Sequence, residues 1–464
     1  MDLIACSVLL LLPFIWACFR LLNSSSRHRR SAKLPPGPYP IPIIGNILQL
    51  GQNPHQTLAK LSKTYGPIMH VKLGSRDTIV VSSPEIAKEI LQKHDQAFPL
   101  RMTTAATRAL DRHMTSVAFL PVGRQWGNLR KICKEQMFST PRLYANQGLR
   151  QEQLQRLLQY IQECCVKGRA VDIGQAAMVT AINLMSKTLF SVDFAGYDAG
   201  SCEELEEIIR RLMRAWGAPN LGDYFGLLGV ATRNSQGRKT DLLEVLLEIS
   251  DANQAELTRE EMKHLLLVRA DTTAGAVEWV MTELMRNPQV MLKLKTEVRT
   301  IVGANNQVEE SDISKLPYLQ AVIKEAFRYH PPGPFLMRRK DGDDLEIKNY
   351  FIPKYAVILI NIWAIGRDPS IWPNPHSFEP ERFLNSEVDT KGHDFELIPF
   401  GGGRRICPGV PLAQRMLHVT VASLVHNFDW ELEPGNAPED VDLNEKFGLS
   451  LQKAVPLKAV PTKP

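Results

Sequence analysis

Ten residues near the C-terminus constrain this chain more than any other stretch: Phe400-Gly401-Gly402-Gly403-Arg404-Arg405-Ile406-Cys407-Pro408-Gly409. They read as a tight, glycine-rich loop that presents one thiol and then opens a helix. Three consecutive glycines free the backbone and remove side chains where something large must approach. Pro408 removes a backbone donor and suits a helix start, and the periodic run from Val410 to Phe428 supplies that helix. Cys407 then lies near a helix N-terminus beside Arg404 and Arg405, surroundings that suit a negatively charged sulfur. A sulfur held rigidly under open backbone can serve as axial ligand to an iron porphyrin, where its electron donation promotes O–O cleavage. The competing reading of the same residues is an inert buried thiol in an unusual turn.

Bulk properties narrow the class. The chain has 464 residues, 44% hydrophobic and 23% charged, an ordinary globular composition. Its net charge of +5 is modest for the length and does not suggest nucleic-acid binding. The seven cysteines are irregularly spaced and form no evident disulfide framework, which fits a reducing compartment.

From Leu3 to Phe19 the sequence is almost entirely apolar, and Leu21-Leu22 extends the run past Arg20. About 20 such residues span a bilayer core. Arg27, Arg29, Arg30 and Lys33 follow, which puts that flank and everything after it in the cytoplasm. A cleaved signal peptide is the rival, but there the basic residues would precede the apolar run. Pro35 to Gly45 holds five prolines and reads as a stiff, extended hinge. The division is thus a transmembrane anchor at 1–22, a basic flank and hinge at 23–45, and one body at 46–464.

Within that body, Pro54–Tyr65 is helical, Ile68–Leu73 and Thr78–Ser82 alternate as strands, and Ser83–Gln92 is a capped helix. Ala105, Ala106, Leu110, Met114 and Val117 could line a pocket or simply pack a loop. Helical pattern dominates from Arg142 to Trp216. Thr258-x-x-Glu261 is a capping box opening a helix to about Arg286. Lys315–Tyr329 is helical, and Leu345–Ile347, Tyr350–Ile352 and Val357–Trp363 read as strands.

The ten-residue loop matches the haem-binding signature of the cytochrome P-450 superfamily at Phe400, Gly403, Arg405, Cys407 and Gly409. Other motifs resemble that family in the expected order over essentially the whole chain. The resemblance implies a mainly α (α+β) fold, a helical body with a small β-rich lobe and an N-terminal transmembrane helix. Cys407 would be the metal ligand of haem b. Trp126 and Arg130, which share a helix face, and Arg339 with less support, would reach its propionates. Glu325, Arg328 and Arg382 would form a buried structural network on the proximal side. In Arg269-Ala270-Asp271-Thr272-Thr273, the acid–alcohol pair Asp271 and Thr272 resembles the family's oxygen-activating motif. There the hydroxyl holds dioxygen and water while the carboxylate relays protons.

The activity implied is insertion of one oxygen atom from O₂ into a C–H bond of a small lipophilic substrate. Electrons would come from NADPH through a membrane NADPH–cytochrome P-450 reductase, since the chain carries no dinucleotide fingerprint. The expected location is the endoplasmic reticulum membrane, catalytic body facing the cytoplasm. The motifs resemble a plant microsomal branch that includes geraniol 8-hydroxylases and ferruginol synthases, implying a terpenoid substrate. Two departures stand out: Arg269 replaces a small residue, and a few tens of residues are missing around 227–239. They keep open a catalytically impaired haem binder, such as an atypical splice form. A haem–thiolate isomerase or dehydratase is the other alternative, and Asp271-Thr272 argues against it.

Overall fold

The computed structural model describes residues 33–104, 107–108, 114–197, 221–224 and 259–463. The expected anchor at 1–22 and the basic flank before Lys33 lie outside them. Among the described residues, no helix is long and apolar enough to cross a membrane.

Eight helices carry the architecture: α1 (Pro54–Tyr65), α2 (Arg124–Ile132), α3 (Gln147–Val166), α4 (Ile173–Phe190), α5 (Arg259–Arg286), α6 (Pro288–Val302), α7 (Pro317–Tyr329) and α8 (Val410–Asn427). Proline sits in the first turn of α1, α6, α7 and α8, where its missing N–H costs nothing. The 28-residue α5 is apolar on several sides beyond Asp271, as a helix buried all round must be. Its Val277, Met281 and Leu284 join Ala177 of α4, Val322 of α7 and Leu424 of α8 in one continuous core.

The β lobe is a four-stranded sheet in the order β1 (Ile68–Leu73), β2 (Arg76–Val81), β7 (Val357–Asn361), β4 (Phe335–Arg339). β2 and β7 are parallel, with Ile79 opposite Ile358; the other pairs are antiparallel. All five residues of β7 are buried, as befits a central strand covered on both faces. Smaller pairings complete the lobe: β3 (Val171–Asp172) with β11 (Lys458–Thr462) and β8 (Asp429–Leu432), β5 (Leu345–Ile347) with β6 (Tyr350–Ile352), and β9 (Glu445–Lys446) with β10 (Gln452–Lys453).

Helical body and small β lobe match the expectation, and several boundaries move. The strand expected over Val357–Trp363 stops at Asn361, because the Asn361 side chain accepts from Ala364 N at 3.1 Å and caps a helical turn, Ile362–Ile365. The helix after Ser83 is α-helical only to Lys88 and widens to a π turn over Glu89–Lys93. The long helical run from Arg142 is interrupted by β3. The hinge is no free connector: His70 N donates to Pro36 O at 2.9 Å and Asn46 N to Lys72 O at 2.6 Å, docking it on β1.

Candidate active site

The Cys407 loop folds as its glycines dictate. Gly401 and Gly403 take φ values of +75° and +65°, which side chains disfavour. A Cβ on Gly403 would stand 2.0 Å from Leu91 O, so the loop can lie against the π turn only as glycine. Cys407 N donates to Phe400 O at 3.0 Å and Ile406 N to Gly403 O at 3.1 Å, closing the turn. Phe400 meets Phe327 of α7 edge-on at 5.2 Å. The helix begins at Val410, as expected, with Gly409 as its N-cap; Pro411, not Pro408, occupies its first turn.

Cys407 is a free, exposed thiol. What it is exposed to is a cavity of about 260 Å³. Its lining includes Phe400, Cys407 and Ala413, Thr272, Thr273 and Ala276 of α5, Leu336 of β4 and Ala181 of α4. Leu449 and Ser450, from the turn between β9 and β10, also reach it. The lining is mostly apolar, suited to a lipophilic guest.

The network below the loop is assembled in full. Glu325 is 0% exposed and Arg328 is 1% exposed. Arg328 makes a bidentate pair with Glu325, Nε to Oε2 and Nη2 to Oε1, each 2.7 Å. Arg382 Nε adds a bond to Oε1 at 3.1 Å and Glu379 N another at 2.8 Å. The remaining Arg328 protons go to the carbonyls of Gly366, Pro375 and Ser377. A carboxylate and two guanidiniums so satisfied fix the segment that leads into the Cys407 loop.

Beside Cys407, four guanidiniums gather from separate elements. Arg405 donates to Pro99 O and Leu120 O, both at 2.6 Å. Arg130 donates to Ile406 O at 2.6 Å. Arg338 is 3% exposed and, among the described residues, its guanidinium donates to its neighbour's carbonyl, Met337 O, at 3.0 Å. Arg101 lines the cavity, and its buried Nε has no hydrogen-bond partner. Burial lowers the pKa of all four, and repulsion between guanidiniums adds to it at Arg405, which falls to about 9, and at Arg338, which lies well below the usual range. Among the described residues no carboxylate pairs with any of the four, whereas neighbouring Arg404 has Asp95 at 2.8 Å. Buried cations without anions, one with an orphaned donor, form a site built for a dianionic group next to a sulfur ligand. Haem, with two propionates, fits it.

Other residues named from the sequence lie as follows. Trp126 is buried; its indole N–H goes to Val117 O at 3.2 Å, and Arg130 and Arg405 stack over its ring at 5.6 and 5.1 Å. Arg339 lies over the Tyr355 ring at 5.4 Å, and its backbone N–H donates to Leu100 O. It is the adjacent Arg338 that enters the cationic cluster. Thr272 lines the cavity, whereas the Asp271 carboxylate is buried against Ser450 and Gln452. The backbone of Arg269 is helical; its side chain, Ala105, Ala106, Leu110 and the shortened segment at 227–239 lie outside the described residues. Met114 is 53% exposed and Val117 packs under Trp126, so Ala118 and Phe119 line the cavity from this loop instead.

A fold of this kind around a cysteine loop and a cationic cradle is that of a haem–thiolate protein. The Cytochrome P450 family model matches residues 35–234 and 229–457, and the chain belongs to that family. The two matches meet at 229–234, within the stretch that reads as shortened. The chain is similar to a ferruginol synthase of Isodon rubescens, 48% identical over 494 residues, covering 99% of this chain and 100% of that one. It is also similar to cytochrome P450 76T24 of Catharanthus roseus, 47% identical with both chains covered in full. A carnosic acid synthase of Rosmarinus officinalis is 45% identical, with 98% of this chain and 99% of its own covered. The protein is a haem-dependent, oxygen-incorporating oxidoreductase of the plant P450 type. It uses O₂ and a redox partner.

Proposed function

We propose that this chain hydroxylates a terpenoid at a C–H bond, as a single-pass protein of the endoplasmic reticulum membrane. Its anchor is 1–22, its flank and hinge 23–45, and its catalytic body, 46–464, faces the cytoplasm. The apolar run from Leu3 to Phe19 and the basic residues after it support the anchor and its orientation. The electron donor is NADPH, through NADPH–cytochrome P-450 reductase. Relatives named for making ferruginol and carnosic acid support a terpenoid, as does the apolar cavity.

Haem b is the prosthetic group and, when bound, supplies oxygen activation at its iron. Cys407 would hold the iron, and Arg101, Arg130, Arg338 and Arg405 would take the propionates. The glycines at 401–403 would shape the loop that presents Cys407, packed against Leu336, Phe395 and Leu91. Thr272 faces the cavity and would orient dioxygen and water; Asp271, one residue before it, would hold the proton to be delivered. The lining is mostly apolar, so groups such as these would carry protons into it.

One observation carries this reading: an exposed thiol in a mostly apolar cavity that Thr272 also lines, beside four guanidiniums that no carboxylate among the described residues pairs with. The test is turnover of the full chain with reductase, NADPH and isotope-labelled dioxygen against a panel of terpenoids. A product carrying one labelled oxygen is expected. A rearranged product without NADPH would instead identify an isomerase, and haem binding without any turnover an impaired form.

A further inference from the structure

Asp271 is 2% exposed and lies where α5 meets the β9–β10 hairpin. A carboxylate so buried needs donors. Two come from the hairpin, about 180 residues away in sequence: Gln452 Nε2 donates to Oδ1 at 2.5 Å, and Ser450 Oγ–H makes a short bond to Oδ2. The hairpin is fixed there by more than these bonds. Trp279, further along α5, donates Nε1 to Leu451 O at 3.3 Å, and Leu451 N donates to Pro332 O at 2.7 Å.

Ser450 has a second property. It lines the cavity together with Thr272, whereas Asp271 does not. A hydroxyl has one proton and two lone pairs and can rotate. Gln452 differs, because its amide N–H can only donate and so can only hold Asp271 in place.

We propose that Ser450 carries protons between Asp271 and the cavity, with Gln452 as a positioning residue for the same carboxylate. Asp271 takes up a proton from solvent. Its O–H then donates to Ser450 Oγ, and the Ser450 hydroxyl proton turns into the cavity. Ser450 gives that proton to an oxygen acceptor there and receives the one from Asp271. One proton enters, one leaves, and the hydrogen bond between the two residues returns to its first direction. This rests on Asp271 being the proton holder, as proposed above.

The test uses the full chain with haem, in membranes with reductase, and needs no identified substrate for its first readout. NADPH oxidation is measured in H₂O and D₂O, with haem content and thermal midpoint followed in parallel. Ser450→Ala should slow NADPH oxidation about tenfold, equivalent to about 1.4 kcal/mol, and enlarge the solvent isotope effect at unchanged haem content. Ser450→Thr keeps a hydroxyl and should stay within about twofold of the parent. The double variant Asp271→Asn with Ser450→Ala should be no slower than Asp271→Asn alone, because groups acting in series are non-additive. Gln452→Leu should slow the reaction less and leave the isotope effect near the parent's. If Ser450→Ala loses haem, Ser450→Gly, which also lacks a transferable proton, replaces it with the same expectation. If Asp271→Asn slows NADPH oxidation but Ser450→Ala and Ser450→Gly do not, the proposal is wrong and Asp271 works by another path. If Asp271→Asn itself changes nothing, the role given to Asp271 falls, and this proposal with it.

Discussion

Cys407 is held by residues that do no chemistry, and their removal should be felt at the haem. Glu325, fully buried, accepts from two guanidiniums and a backbone N–H. Glu325→Ala strands two buried cations and should cost about 3–5 kcal/mol in urea unfolding of the haem-bound form. Gly403→Ala meets both a positive φ and the Leu91 carbonyl. It should cost about 1–3 kcal/mol, and haem content per chain should fall with it. These residues were legible in the sequence because each lies within a short motif whose spacing fixes its neighbours. Arg338 was not. It precedes Arg339 on β4, and adjacent strand residues point to opposite faces, so two successive arginines leave open which one enters the cluster. Only the pairing of Arg338 with Ile358 in the sheet decides it. Arg101 likewise sits in a loop without periodicity, and its role comes from the three arginines it meets.

The β9–β10 hairpin joins segments that lie far apart in the sequence. Its anchors were invisible in the sequence because they come from distant segments. Glu445 at its start accepts from Gln56 Nε2 and Trp363 Nε1, each at 2.9 Å, and pairs with His55 Nε2 at 2.7 Å. Burial alone would raise the Glu445 pKa; the hydrogen bond of His55 and the charge of Arg367 reverse this and bring it to about 2. The folded carboxylate is thus the stronger acid. Its stabilisation is complete above the ordinary value of 4.5 and is lost as pH falls from there towards 2. Glu445→Gln should therefore be less stable than the parent by about 1.5–3 kcal/mol at neutral pH. That gap should close progressively below pH 4.5 in paired urea titrations; a constant gap would mean that the charge of Glu445 is not what matters.

At the scale of the whole molecule, helices and sheet lobe converge on one wall of cations and one thiol. The helical body was legible from apolar periodicity, and α5 from its capping box and its Asn287-Pro288 end. What the sequence did not reveal was the depth of the electrostatic imbalance, since guanidiniums from β4, α2 and two loops meet only in three dimensions. If that imbalance serves the propionates, haem dimethyl ester, which lacks both charges, should bind the haem-free chain at least about tenfold more weakly than haem, given about 1.5–3 kcal/mol per charged hydrogen bond. Equal retention of ester and acid would remove the arginines from haem binding. The central claim, that Cys407 ligates haem iron, is tested most directly by the carbon monoxide difference spectrum of the reduced, full-length chain and of Cys407→Ser. The parent should give the red-shifted band of a thiolate-ligated haem and the variant should not. A parent spectrum without that band at full haem content, or an unchanged spectrum in Cys407→Ser, would contradict the assignment.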